Sequence, residues 1–241
     1  MTTHTIKLTA ALTLVASSAQ AFIAPPLDGI TEYEGWADLT SANYPSYGFA
    51  TNNAPWSTPI GSNQTGSAGN AGFTKTSGTG YAASASIYSL DFTDPPESGV
   101  GTGTFSVSST VDSLTDVSTV IFQLDGGADF FANPVLNYNG GSQGLAYDYS
   151  ATTPGSFTAS GPEGDFDTTN NAFQWDLSGI ADSITDLEIV YTVEAHSSQF
   201  ALQLDTSDTA FSGSAVPEPS SYALLAGLLA LAGVAIRRRA K

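Results

Sequence analysis

The sequence predicts an all-β protein: one β-sandwich, jelly-roll-like, filling residues 22–215. Three observations predict it. Apolar and polar residues alternate with period two through the body, and clusters of turn-forming residues interrupt the alternation. No convincing run of ten or more residues carries the 3.6-residue apolar period of a helix.

The strands follow in order. Phe105, Val107 and Val111 share one phase, and Phe173, Trp175 and Leu177 alternate with Gln174, Asp176 and Ser178. Leu187, Ile189, Tyr191 and Val193 alternate with Glu188, Val190, Thr192 and Glu194, while Phe200, Leu202 and Leu204 alternate with Ala201, Gln203 and Asp205. Each run reads as a strand with one buried face. The turns between strands read as "DPPESG" (94–99), "DGG" (125–127), "YNGG" (138–141) and "SGPEG" (160–164), since Gly, Pro, Asn and Asp supply turn dihedrals. Residues 52–80 are rich in Asn, Ser, Thr and Gly and read as long loops with one strand near Phe73; residues 159–171 read as an extended loop. "DSLTD" at 112–116 and "DSITD" at 182–186 echo each other 70 residues apart, each a polar turn feeding a core strand. Two equivalent long strands favour a jelly roll over an immunoglobulin-like arrangement.

Charge narrows the partners. The chain carries 23 acids and 6 bases, for a formal net charge of -17. Lys7 lies near the N-terminus, and Arg237, Arg238, Arg239 and Lys241 lie at the C-terminus, so Lys75 is the only base of the body, facing every acid except Glu218. Such a surface repels phosphate backbones and offers no basic patch for counterion release, which excludes nucleic acid as a partner. There is no cysteine, hence no disulfide, thiolate metal site or cysteine nucleophile.

The ends are built differently. Residues 1–21 read as a signal peptide: Lys7, an apolar run from Leu8 to Ala16, then Ala19-Gln20-Ala21 as the A-x-A cleavage site. Residues 222–236 read as a short transmembrane helix, uncharged and rich in Leu, Ala and Gly. At 15 residues it spans about 22 Å, less than the roughly 30 Å hydrocarbon core. The basic tail 237–241, through Arg237, Arg238 and Arg239, sets the topology with the body outside the cytoplasm. Pro217-Glu218-Pro219 stiffens the chain before the helix into the extended backbone a protease can grip.

Val216-Pro217-Glu218-Pro219-Ser220, the apolar span and the arginine cluster together resemble the PEP-CTERM sorting signal, over residues 216–241 only. The resemblance implies export by the secretion machinery and recognition by an exosortase, a membrane-embedded transpeptidase-like protease. It further implies processing near Pro217–Pro219, membrane anchoring before that step, and display or release among exopolysaccharide. It implies nothing about the body.

Within the body the chemistry is sparse. His196 is its only histidine and no G-x-S-x-G elbow accompanies it, so it reads as an exposed turn residue. Asp165, Asp167 and Asn170 in "GDFDTTN" offer oxygen ligands to calcium, without the full EF-hand pattern; no other cofactor is expected. Tyr147 and Tyr149 alternate in phase and could stack on sugar rings, as could Trp36, Tyr44, Tyr47, Trp56 and Tyr138. No motif singles out a catalytic carboxylate pair. The expectation is an acidic, exported structural or glycan-binding component of the cell surface or extracellular matrix, not an enzyme. The rival reading is a polysaccharide-active hydrolase or lyase, and a third is a calcium-dependent carbohydrate-binding module.

Overall fold

A computed structural model describes residues 27–90, 102–112, 114, 116–127, 134–161 and 164–210. The expected signal peptide 1–21, the expected turn at 94–99, the motif Pro217–Pro219, the expected transmembrane helix 222–236 and Arg237–Arg239 lie outside the described residues. Among the described residues, no helix is long and apolar enough to cross a membrane.

The strands are β1 (Thr31–Trp36), β2 (Ile60–Gly61), β3 (Ala71–Gly78), β4 (Tyr81–Ala82), β5 (Ile87–Tyr88), β6 (Gly103–Thr110) and β7 (Thr119–Gly127). They continue with β8 (Val135–Tyr138), β9 (Leu145–Ala146), β10 (Tyr149–Gly161), β11 (Gly164–Asp176), β12 (Asp186–Val193) and β13 (Ser198–Ser207). Among the described residues, helix is confined to two 3-10 turns, Pro45–Tyr47 and Phe49–Thr51. One antiparallel sheet runs β10-β11-β7-β13-β5-β4, with β1 also on β13; the other runs β2-β3-β6-β12-β8-β9.

One apolar core lies between the sheets. Phe73, Phe105, Leu187, Ile189, Tyr191 and Val193 from one sheet meet Trp36, Phe122, Leu124, Trp175, Leu202 and Leu204 from the other. Phe105 stacks on Phe73 at 5.6 Å and on Tyr191 at 5.8 Å, and Tyr191 meets Phe122 of the facing sheet at 5.4 Å between ring centroids. Tyr191 is fully buried, so its hydroxyl needs a partner. It donates to Gln199 Oε1 on β13 at 2.7 Å, and burial holds its pKa well above the usual tyrosine value. Two indole N–H groups repeat this logic: Trp36 Nε1 donates to Ile60 O at 2.9 Å and Trp175 Nε1 to Leu145 O at 3.0 Å. Those bonds pin the outermost strands of the second sheet, β2 and β9, to strands of the first.

Lys75 is the largest departure from an apolar interior. It sits mid-β3 at 0% exposure, and its Nζ donates to Thr51 O at 2.6 Å, Gly80 O at 2.8 Å and Asn52 O. The Trp56 ring centroid is 6.0 Å away, within cation–π range. Burial lowers the Lys75 pKa to about 8. Gly80 closes this cage with φ +148, and a Cβ there would come within 2.6 Å of Phe105.

Several sequence expectations hold. β12 alternates buried and half-buried residues along its whole length, and Phe105, Val107, Phe173, Trp175, Leu202 and Leu204 are core. Asn139 and Gly140 take positive φ in the "YNGG" turn. The two echo segments feed β7 and β12 in opposite sheets and touch: Asp116 Oδ1 accepts from Val117 N at 2.9 Å and Ile184 N at 3.1 Å, and Val111 N donates to Thr185 O.

Two expectations are corrected. "DGG" at 125–127 is not a turn but the end of β7, where Gly126 pairs with Thr169 on one side and Gln199 on the other; a strand with neighbours on both sides overrides the local turn preference. Residues 159–171 are not a loop but belong to the β10–β11 hairpin, closed at the Gly161–Gly164 pair. Their Thr, Asn and Asp side chains hide the alternation, while the backbone ladder to β7 and the β propensity of threonine build the strand.

Truncating Lys75 removes both its aliphatic packing and three donors. Lys75→Ala is expected to cost about 3 kcal/mol, read as a lower urea midpoint, whereas Lys75→Met, which keeps the stem, should cost less.

Candidate functional site

The strands β7 and β13 carry the same short pattern. Phe122-Gln123-Leu124-Asp125 and Leu202-Gln203-Leu204-Asp205 run antiparallel with Gln123 opposite Gln203, so the pair has approximate twofold symmetry. Phe122, Leu124, Leu202 and Leu204 point into the core. Alternation sends Gln123, Asp125, Gln203 and Asp205 to the opposite face of the sheet. Register adds Gln174 of β11 beside Ile121, and Tyr33 of β1 beside Asp205. Unlike the solvated outer face of most antiparallel sheets, this one is buried at Gln123, Asp125, Gln174, Gln203 and Asp205.

The two aspartates differ although their strands match. Asp205 accepts from Gln203 Nε2 at 2.6 Å and from the Gln123 side chain, while burial raises its pKa to about 7 against those two bonds. Its charge and that of Glu34 add to the burial that raises the Tyr33 pKa. Asp125 is 0% exposed and neither carboxylate oxygen has a partner; burial alone raises its pKa to about 7. Gln174, at 1% exposure, likewise has neither amide atom paired. Buried donors and acceptors in that condition are rare and point to a polar occupant such as water or ligand. Asp125 and Asp205 sit four residues apart in register, about 13 Å along the strands. That exceeds the spacing of either glycosidase class, roughly 5 to 9.5 Å.

The residues singled out by sequence fall elsewhere. Asp165, Asp167 and Asn170 all lie on β11, where alternation puts the two exposed aspartates on one face and Asn170 on the other, so they do not converge. Thr158 Oγ1 lies 3.1 Å from Asp167 Oδ1. Among the described residues, no three His, Cys, Asp or Glu side chains are grouped to hold a metal ion. Tyr147 is half-buried against Phe173 at 5.0 Å and Trp175 at 6.5 Å, while Tyr149 is 55% exposed at the start of β10; they form no shared platform. Trp36 and Trp56 are core, and Tyr44, Tyr47 and Tyr138 pack against it. His196 is exposed in the β12–β13 turn at φ 63, with Nδ1 3.1 Å from the Tyr88 hydroxyl.

Comparison with known families matches the PEP-CTERM protein-sorting motif to residues 215–239. The chain carries a PEP-CTERM sorting signal. That PEP-CTERM match includes Pro217, Glu218 and Pro219 and the cluster Arg237–Arg239, and it implies an exported protein sorted by an exosortase. It stops short of the body. No curated protein and no solved structure matches the chain.

The polar face on the body was legible only as a repeat. The Q-L-D triplet at 123–125 and 203–205, each preceded by a large apolar residue, marks two strands with equivalent polar faces. Reading Asp125 as a turn residue hid it.

Both aspartates bind protons more tightly in the fold than in the open chain, where the ordinary value is 3.8. Their stabilising contribution is full below about 4 and is lost as pH rises through about 7. The protein should therefore resist urea better at pH 5 than at pH 8, by on the order of a few kcal/mol. Asp125→Asn should flatten that slope; an unchanged slope would show that Asp125 does not titrate in this range.

Proposed function

We propose that the chain is a precursor in which the leader 1–21 directs export. In this reading the 222–236 helix holds the product in the inner membrane with Arg237–Arg239 on the cytoplasmic side, and an exosortase then cuts near Pro217–Pro219. The released or displayed body acts as a structural or glycan-binding component among exopolysaccharide at the cell surface. The match to the PEP-CTERM sorting motif carries the sorting part of this reading.

The architecture favours a jelly roll. Eight of the strands fall in the order β1-β13-β7-β11 in one sheet and β6-β12-β8-β9 in the other. Numbered one to eight along the chain, they lie one-eight-three-six and two-seven-four-five, the interleaving of two Greek keys, with β3 and β10 added at the margins. The surface supports a role among neutral or cation-bridged polymers, because Lys75 is the body's only lysine or arginine and is buried. The reading is non-enzymatic; Asp125 and Asp205, the two buried aspartates of the polar face, stand farther apart along their strands than either glycosidase class uses.

Two measurements test this. In an exosortase-bearing host, replacing Pro217, Glu218 and Pro219 with alanine should leave the full-length form in the membrane fraction on an immunoblot; normal processing would refute the sorting role. A glycan array probed with the secreted protein, with and without calcium, should show binding to neutral polysaccharide. Silence across the array would leave the structural role alone.

A further inference from the structure

Sheet edges expose unpaired backbone groups, and folded proteins cover, shorten or charge them. Most edges here are treated that way. β2, β4 and β9 are two residues long. The outer edge of β1 is occupied by the 63–68 loop: Asn63 N and Gln64 N donate to Gly35 O, Ala68 N donates to Tyr33 O, and Gly35 N donates to Ser67 Oγ at 3.1 Å. Where β8 runs past β9, the Gln143 side chain stands in for a strand, with Tyr138 N donating to Oε1 and Nε2 donating to Tyr138 O, both at 3.0 Å. Where β3 runs past β2, Trp56 N donates to Lys75 O.

β10 is the exception. It is 13 residues long, pairs with β11 on one side, and no described residue pairs with its other side. From Tyr149 to Gly161 it carries no charged residue, although the body as a whole is strongly acidic. The register runs unbroken from Tyr149 to Pro154 before it shifts ahead of Thr158, and Tyr149 is one of three large apolar side chains exposed among the described residues.

We infer that β10 pairs antiparallel with β10 of a second copy of this chain, joining the two seven-stranded sheets across a twofold axis at Ala151. In that register Tyr149 covers Thr153 of the second copy, and Ser150 faces Thr152, a hydroxyl pair of the kind that stabilises neighbouring strands. Charge selects the partner. Two bodies this acidic repel each other wherever their carboxylates meet, and β10 is the uncharged seam. The nearest acid at this end, Asp148, would lie about 20 Å from its symmetry mate, beyond the screening length of roughly 10 Å at 0.1 M salt. This seam is independent of the polar face and of glycan binding.

The chain has no cysteine, so single cysteines report directly on the seam. In the full chain held in detergent, Ala151→Cys should form a covalent dimer under mild oxidation. The more exposed Ser142→Cys, in the β8–β9 turn, should stay monomeric. Adding Thr152→Asp to Ala151→Cys should cut the dimer about tenfold, with an unchanged circular dichroism spectrum. Three results would each overturn the inference: a folded Ala151→Cys protein that remains monomeric, equal cross-linking through Ser142→Cys, or no loss on adding Thr152→Asp.

Discussion

Lys75 Nζ gathers three backbone carbonyls that no regular element would bring together: Thr51 and Asn52 from the second 3-10 turn and its exit, and Gly80 from the turn after β3. The irregular stretch from Pro45 to Trp56 contains no strand, and this cage, with the bond from Trp56 N to Lys75 O, ties it to the core. Once tied, Trp56 lies against Phe73 at 5.5 Å and Phe105 at 5.9 Å, and the aromatic stack continues through Tyr191 to Phe122 on the other sheet. One ammonium group therefore sets the packing on which the sandwich closes. The low pKa of Lys75 records the cost of placing it there.

With its only lysine or arginine buried, the body presents neither residue on its surface, and neutral donors do work that salt bridges do elsewhere. Carboxamides recur in these roles. Gln143 caps β8, the Asn63 carboxamide bonds both backbone groups of Ala37 just after β1, Asn139 bridges to Ser183 and Thr185, and Gln123 with Gln203 solvates Asp205. Such groups satisfy backbone and carboxylate without adding charge to a chain already at -17. Asp125 is the carboxylate this supply does not reach, which makes it the most anomalous group on the polar face.

How much of this could be read from sequence depended on whether a strand had one apolar face. β12, with Leu187, Ile189, Tyr191 and Val193 against half-buried neighbours, was fully legible. β10 and the first half of β11 were not, because neither face of them is apolar and periodicity has nothing to register. β7 was legible as a strand through Val120, Phe122 and Leu124, but its second face is buried as well, and Asp125-Gly126-Gly127 imitates a turn in composition alone. The calcium and tyrosine candidates failed to assemble for the same reason. Side-chain direction depends on strand boundaries, and those boundaries were set by ladder partners far away in sequence. The sorting signal, by contrast, is linear, and a linear motif needs no fold to be recognised.

The cage around Lys75 has a consequence outside stability. Enzymes that cut after lysine or arginine meet no other such residue between Lys7 and Arg237, and the one present is enclosed by backbone at the centre of β3. A body released among extracellular proteases of that specificity would offer them nothing to hydrolyse until it opened.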